Sequence, residues 1–140
     1  MNRYVVDASV VAAAFFREDS ADRAARLLAE TLELLAPDLI HAEIANVIWK
    51  RFSRNEIDGL EAEQLLADIQ SVPIQATPCA ELAQMALNLA IETGRTAYDC
   101  LYLALAISSN CQFVTADKRF CNAMKNGKQA ASGVWIGDWP

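Results

Sequence analysis

Two rhythms of apolar residues alternate along the chain. Short, unbroken apolar runs read as strands: "RYVVD" (3–7), "LELLAP" (32–37), "VPIQA" (72–76), "CQFVTA" (111–116) and "GVWIG" (133–137). Between them lie longer stretches at helical spacing. "ASVVAAAFF" (8–16) is apolar on nearly every side and is expected to be buried. Ser20 is placed to cap a helix whose Ala24, Leu27, Leu28 and Thr31 share a stripe. Asp38 is placed to cap another, reaching about Phe52, with Ile40, Ile44, Val47 and Ile48 on one face. Asp58 and Gly59 precede a helix over 60–71. Pro78 opens a helix with Leu82, Met85, Ala86 and Leu89 inward and Gly94 at its end. Thr96 then caps "AYDCLYLALAIS", and a short helix is expected from Asp117 to about Asn126.

Strands alternating with helices imply crossover connections, hence an α/β fold whose central sheet is mostly parallel and carries helices on both faces. In such sheets functional groups collect beyond the carboxyl ends of the strands. Asp7 and Asp117 both follow the last apolar residues of an expected strand, so they share that address.

Composition narrows the class. The chain has 140 residues, 54% of them hydrophobic and 21% charged, with no low-complexity stretch, which suits one folded domain over 1–140. No apolar run approaches the roughly 20 residues that span a bilayer. Asp7 before the apolar "ASVVAAAFF" and Arg17, Glu18 and Asp19 after it argue against a secretion signal. Cys79, Cys100, Cys111 and Cys121 form no CxxC pair and have mostly apolar neighbours; buried free thiols in a reducing cytoplasm are expected. His41 is the only histidine, which leaves zinc without a ligand set. A net charge of −6 excludes a general phosphate-coating role.

Four acids then call for explanation. Asp7 sits between "VV" and a helix with no polar face, where capping that helix is the plain alternative. Glu43, in "LIHAEIANVIWK", neighbours Ile44 and shares a rim with Asn46; an ordinary boundary glutamate would look the same. Asp99 follows Thr96 by three residues, a capping-box spacing, but heads an apolar stripe through Leu103, Ala106 and Ile107. Asp117 can also be a cap. If the four converge, like charges oppose ionisation, and a hard divalent cation relieves that conflict using oxygen ligands alone. Ser9 and Thr115, each two residues from an aspartate, add hydroxyls.

"VVDASV", "HAEIANV", "TAYDCLYLALA" and "FVTADKRF" together resemble, in order and spacing, the PIN-domain family, and within it the VapC-type toxins of bacterial toxin–antitoxin pairs. The resemblance covers essentially the whole chain. It implies a three-layer α/β/α sandwich with about five strands and a ribonuclease dependent on Mg²⁺ or Mn²⁺. Carried onto this chain, it makes Asp7, Glu43, Asp99 and Asp117 the acidic metal-site positions, with Ser9, Thr115 and Asn46 as polar support. It also implies a cognate antitoxin and a homodimer, which we expect to form through the apolar faces of 8–16 and 97–108. One feature departs from an RNA-cutting toxin: the acidic balance. Setting the four acids aside leaves 14 of the 18 acidic residues against 12 basic ones, so the remaining surface is close to neutral.

Arg95, Lys118 and Arg119 are candidate RNA contacts. Lys50, Arg51 and Arg54 crowd one helix end, where complementing the helix dipole explains them as well. A haloacid-dehalogenase-like phosphotransferase would want a second aspartate where Ser9 stands. No phosphate-binding glycine motif or GxSxG elbow is present. The remaining alternative is an inactive, protein-binding domain of the same fold.

Overall fold

A computed structural model describes residues 2–124 and 132–140. Its strands are β1 (Arg3–Val6), β2 (Glu33–Pro37), β3 (Ile74–Thr77), β4 (Gln112–Thr115) and β5 (Gly133–Trp135). The helices are α1 (Ala8–Phe15), α2 (Ala21–Glu30), α3 (Leu39–Ser53), α4 (Gly59–Gln70), α5 (Cys79–Thr93), α6 (Ala97–Ser108) and α7 (Lys118–Met124). A 3₁₀ turn covers Ile136–Asp138. The expected end of the last helix near Asn126 falls outside the described residues.

All five strands pair in parallel in the order β3-β2-β1-β4-β5. The chain therefore builds outward from β1 in one direction through β2 and β3. It then crosses back over α5 and α6 to place β4 on β1's other side. This reversal between β1 and β4 is the switch point where such sheets open a crevice.

The strands are apolar on both faces because both are covered. Val5, Leu35 and Phe113 point into a core shared with α3, α5 and α6. Their neighbours Val6, Leu34 and Val114 point the other way, toward α2, Ile136 and Trp139. Helix α1 feeds both cores, with Ala8 and Val11 in one and Val10 and Ala13 in the other, so it has almost no polar side. Helix α6 is equally enclosed: Cys100 through Ala106 are all buried.

Local signals behave unevenly. Asp58 and Glu61 form a complete capping box on α4, and Gly94 ends α5 in the left-handed region at φ 76°. Ser20, expected as a cap, instead lies at φ 68° and makes no capping hydrogen bond. Asp38 does not cap α3 either; its carboxylate accepts from the Cys79 amide at 3.0 Å and so ties the start of α5 to the start of α3. Met85, read as inward-facing, is 38% exposed. The four cysteines are free thiols. No helix among the described residues is long and apolar enough to cross a membrane.

Candidate active site

β1 and β4 are adjacent, with Val6 opposite Val114, so the residues just beyond them meet. The Thr115 hydroxyl donates to Asp7 Oδ2 at 2.6 Å, and Ser9 donates to Asp7 Oδ1. The Val10 amide adds a bond to the same Oδ1 at 3.2 Å. Asp7 thus does cap α1, and its other oxygen reaches across the switch point; capping and site membership coincide. The Ser9 hydroxyl in turn accepts from the Ala116 amide at 2.9 Å and lies 3.3 Å from Thr115 Oγ1. Thr115 Oγ1 also accepts from the Asp117 amide at 3.0 Å. Ser9 and Thr115 therefore lock together the turns that follow the two strands.

Asp117 heads α7 and is exposed. Its Oδ1 accepts from the amides of Arg119 at 3.0 Å and Phe120 at 3.3 Å, an N-cap pattern. Glu43 projects from α3, partly buried, and accepts from the hydroxyl of Tyr102. Asp99 opens α6, where its amide donates to Thr96 Oγ1 at 3.2 Å. The Asp99 carboxylate does not complete a capping box; it pairs with Arg95 at 3.0 Å. Asn46 is exposed one turn beyond Glu43.

The carboxylates feel one another. Burial raises Asp7 from 3.8 to about 6, against the lowering effect of its three hydrogen bonds, and the charge of Glu43 adds to the rise. Glu43 is raised as well, by burial first and by the charge of Asp99 last, while the Tyr102 bond pulls it down. Tyr102 is held far above its usual range by burial, by its bond to Glu43, and by the charges of Glu43 and Asp7. Asp7, Glu43 and Asp99 thus share one electrostatic field, and Asp117 joins Asp7 through Thr115.

A divalent cation suits this donor set, which is all oxygen and in which burial first, then neighbouring negative charge, opposes ionisation of Asp7 and Glu43. Among the described residues, no group of three or more acidic, histidine or cysteine side chains is gathered closely enough to hold a metal ion. Each carboxylate is instead turned onto a donor of the protein: Asp7 onto hydroxyls, Glu43 onto Tyr102, Asp99 onto Arg95, Asp117 onto backbone amides.

Tyr102 is the participant that sequence reasoning passed over. It stands in an apolar stripe and is 3% exposed, so it reads as core. A usable signal existed, because a buried phenol requires a hydrogen-bond partner, and Tyr102 lies one turn from Asp99. The candidate RNA contacts divide. Arg119 is exposed at the site's edge. The Lys118 ammonium lies 4.6 Å from the centre of the Trp135 ring. Arg51, at the end of α3, is held by Glu18 and Glu56 and covers the Phe16 ring, which favours a structural role.

Comparisons with known proteins agree with the fold and point to one family. The family pattern described as PIN domain matches residues 4–126. Ribonuclease VapC3 of Pyrobaculum aerophilum is 32% identical over 119 residues, covering 84% of this chain and 91% of the relative. Among solved structures, PAE2754 from Pyrobaculum aerophilum superposes with a TM-score of 0.70 at 23% identity, covering 96% of this chain and 90% of that one. VapBC2 from Rickettsia felis, bound to a DNA fragment from their promoter, gives a TM-score of 0.62 at 18% identity, covering 95% and 98%.

Proposed function

The chain belongs to the PIN-domain family, and from that premise we propose that it is a VapC-type toxin ribonuclease, which hydrolyses RNA phosphodiester bonds with the help of Mg²⁺ or Mn²⁺. The observation that carries the reading is the Asp7 network at the β1/β4 switch point, with Glu43 acting on Asp7 and Asp99 on Glu43.

In this reading Asp7, Asp99 and Asp117 would hold the cation, and Glu43 would hold it directly or through water. When bound, such a cation lowers the pKa of a water molecule and neutralises charge on the phosphoryl oxygens. The chain's own residues do the positioning. Ser9 and Thr115 fix the plane of the Asp7 carboxylate by donating to its two oxygens. Tyr102 occupies Oε1 of Glu43 and leaves Oε2 to orient the attacking water and accept its proton. That water's oxygen would bond to phosphorus as the bond to the leaving oxygen breaks, and the proton taken by Glu43 would pass through solvent to the leaving oxygen. Burial, and behind it the charge of Asp99, raise Glu43, a direction that favours proton uptake by this carboxylate. Arg119 and Lys118, at the edge, contact flanking phosphates without reading bases.

The partners follow the same reading: an RNA substrate, a cognate antitoxin and a second copy of the chain. The dimer surface expected from the sequence can be narrowed. Most of α1 and of α6 is consumed within the chain itself, but Tyr98 and Ile107 of α6 stay exposed. Leu87 and Ile91 on α5 are exposed as well. We place the dimer contact there.

The test is RNA cleavage by purified protein with Mn²⁺, with Mg²⁺ and with a chelator. The reading requires cleavage that needs the cation and is lost in Asp99→Asn. Intact RNA under all three conditions, with tight binding to a protein partner, supports an inactive protein-binding domain instead.

A further inference from the structure

Arg95 touches the site in a way that ordinary helix stabilisation does not explain. It precedes Thr96, the N-cap of α6, and pairs with Asp99 in that helix's first turn. A cation at this end opposes the helix dipole. The i,i+4 order, basic before acidic, is also the weaker one. The guanidinium lies 4.7 Å from the centre of the Phe120 ring. Phe120 is 2% exposed and packs edge-on against Phe113 at 5.2 Å, while Phe113 stacks on Tyr102 at 5.8 Å. The planar head of Arg95 is thus seated on the same aromatic column that carries Tyr102 to Glu43. Its Nε is buried and has no hydrogen-bond partner. An unpaired buried donor on a charged group is costly, and it sits beside carboxylates whose proposed substrate is a phosphodiester.

We propose that Arg95 is a substrate-positioning residue that serves as the counter-ion of Asp99 until cation and RNA arrive. This rests on the ribonuclease reading. Without cation, Arg95 supplies positive charge to Asp99 and so opposes binding of the ion. When Asp99 turns to the ion, the guanidinium stays on Phe120 and the Nη2 that held Asp99 is free for a phosphate oxygen of the RNA. The same side chain therefore weakens affinity for the cation and strengthens affinity for RNA.

The test is Arg95→Gln, with wild type and Arg95→Lys beside it. Mn²⁺ binding without RNA is measured by calorimetry. Binding of a short, mixed-sequence RNA is measured by fluorescence anisotropy in Ca²⁺ across a salt series. A partly exposed pair of this kind predicts about two- to five-fold tighter Mn²⁺ binding in Arg95→Gln. Loss of one phosphate contact on a single strand predicts weaker RNA binding and a salt slope shallower by about 0.7. Arg95→Lys keeps the charge but loses the planar stack and the fork, so its Mn²⁺ affinity should stay nearer wild type while its RNA binding falls. Should Arg95→Gln not fold, the lysine variant decides: unchanged RNA binding overturns the proposal. Unchanged or weaker Mn²⁺ binding in a folded Arg95→Gln, or an unchanged salt slope, overturns it too. If wild type itself binds no Mn²⁺, the ribonuclease reading fails first, and the two failures are told apart.

Discussion

Replacing Asp7 by asparagine should stabilise the cation-free protein while abolishing its activity, and the gain should grow with pH. Asp7 is raised from 3.8 to about 6 in the folded chain, chiefly by burial. Between those values the folded protein holds a proton that the unfolded chain has released. The stability this proton contributes is fully present below pH 3.8 and is lost as pH rises through about 6. At 1.36 kcal/mol per unit, a shift from 3.8 to about 6 penalises the ionised form by about 3 kcal/mol. Roughly half of that change falls between about pH 5 and pH 8. Asparagine carries no charge to desolvate, and its carbonyl can keep the bonds from Ser9 and the Val10 amide. Its amide faces the Thr115 hydroxyl, which must then turn its proton elsewhere, at a cost of about 1 kcal/mol. The net gain at pH 8 is therefore about 2 kcal/mol; as pH falls it shrinks, passes through zero at about pH 4.5, and ends at about 1 kcal/mol in favour of wild type. Urea unfolding followed by tryptophan fluorescence, with a chelator present, measures it as the difference between variant and wild type at each pH. A difference that does not change with pH, or one that favours wild type more as pH rises, would refute the reasoning. Saturating Mn²⁺ should reverse the order, because an ion that binds only the folded wild type adds stability by mass action.

Two further outcomes follow from the geometry. Tyr102→Phe keeps the aromatic stack on Phe113 but removes the donor that pulls Glu43 down; the acidic limb of the kcat/KM profile should move to higher pH, with activity down by about ten-fold, and a fold loss with no movement of that limb would mean the hydroxyl only packs. Leu87→Lys combined with Ile91→Lys, both on the exposed side of α5, should turn a dimer into a monomer in sedimentation velocity, with the helix content of the folded chain kept in circular dichroism. A variant that still sediments as a dimer would move the interface elsewhere.

The fold was legible because each strand is short and bounded, and each helix announces its inward face. The alternation of Val5 with Val6 and of Phe113 with Val114 between two cores follows directly from the strand period. The shared address of Asp7 and Asp117 was readable for the same reason. Side-chain partnerships were not. Ser20 and Asp38 stand at helix starts with suitable side chains, yet one adopts a left-handed backbone and the other bonds to a different helix, since tertiary contacts decide among equally good local options. The pairing of Tyr102 with Glu43 joins α6 to α3 across 59 positions, and the seat of Arg95 on Phe120 depends on how α7 packs beside β4. Neither leaves a periodic trace. The strong apolarity of α1 and of the middle of α6 belongs to enclosure within the chain, since a buried helix needs it on every side.

The most direct measurement is anomalous diffraction from crystals soaked in Mn²⁺. If distant carboxylates serve one ion, a manganese peak appears beyond the carboxyl ends of β1 and β4 with Asp7 and Asp99 among its ligands, and Arg95 has released Asp99. Clear density for well-ordered Asp7, Glu43, Asp99 and Asp117 side chains with no manganese between them, at a concentration that saturates binding in solution, would contradict it.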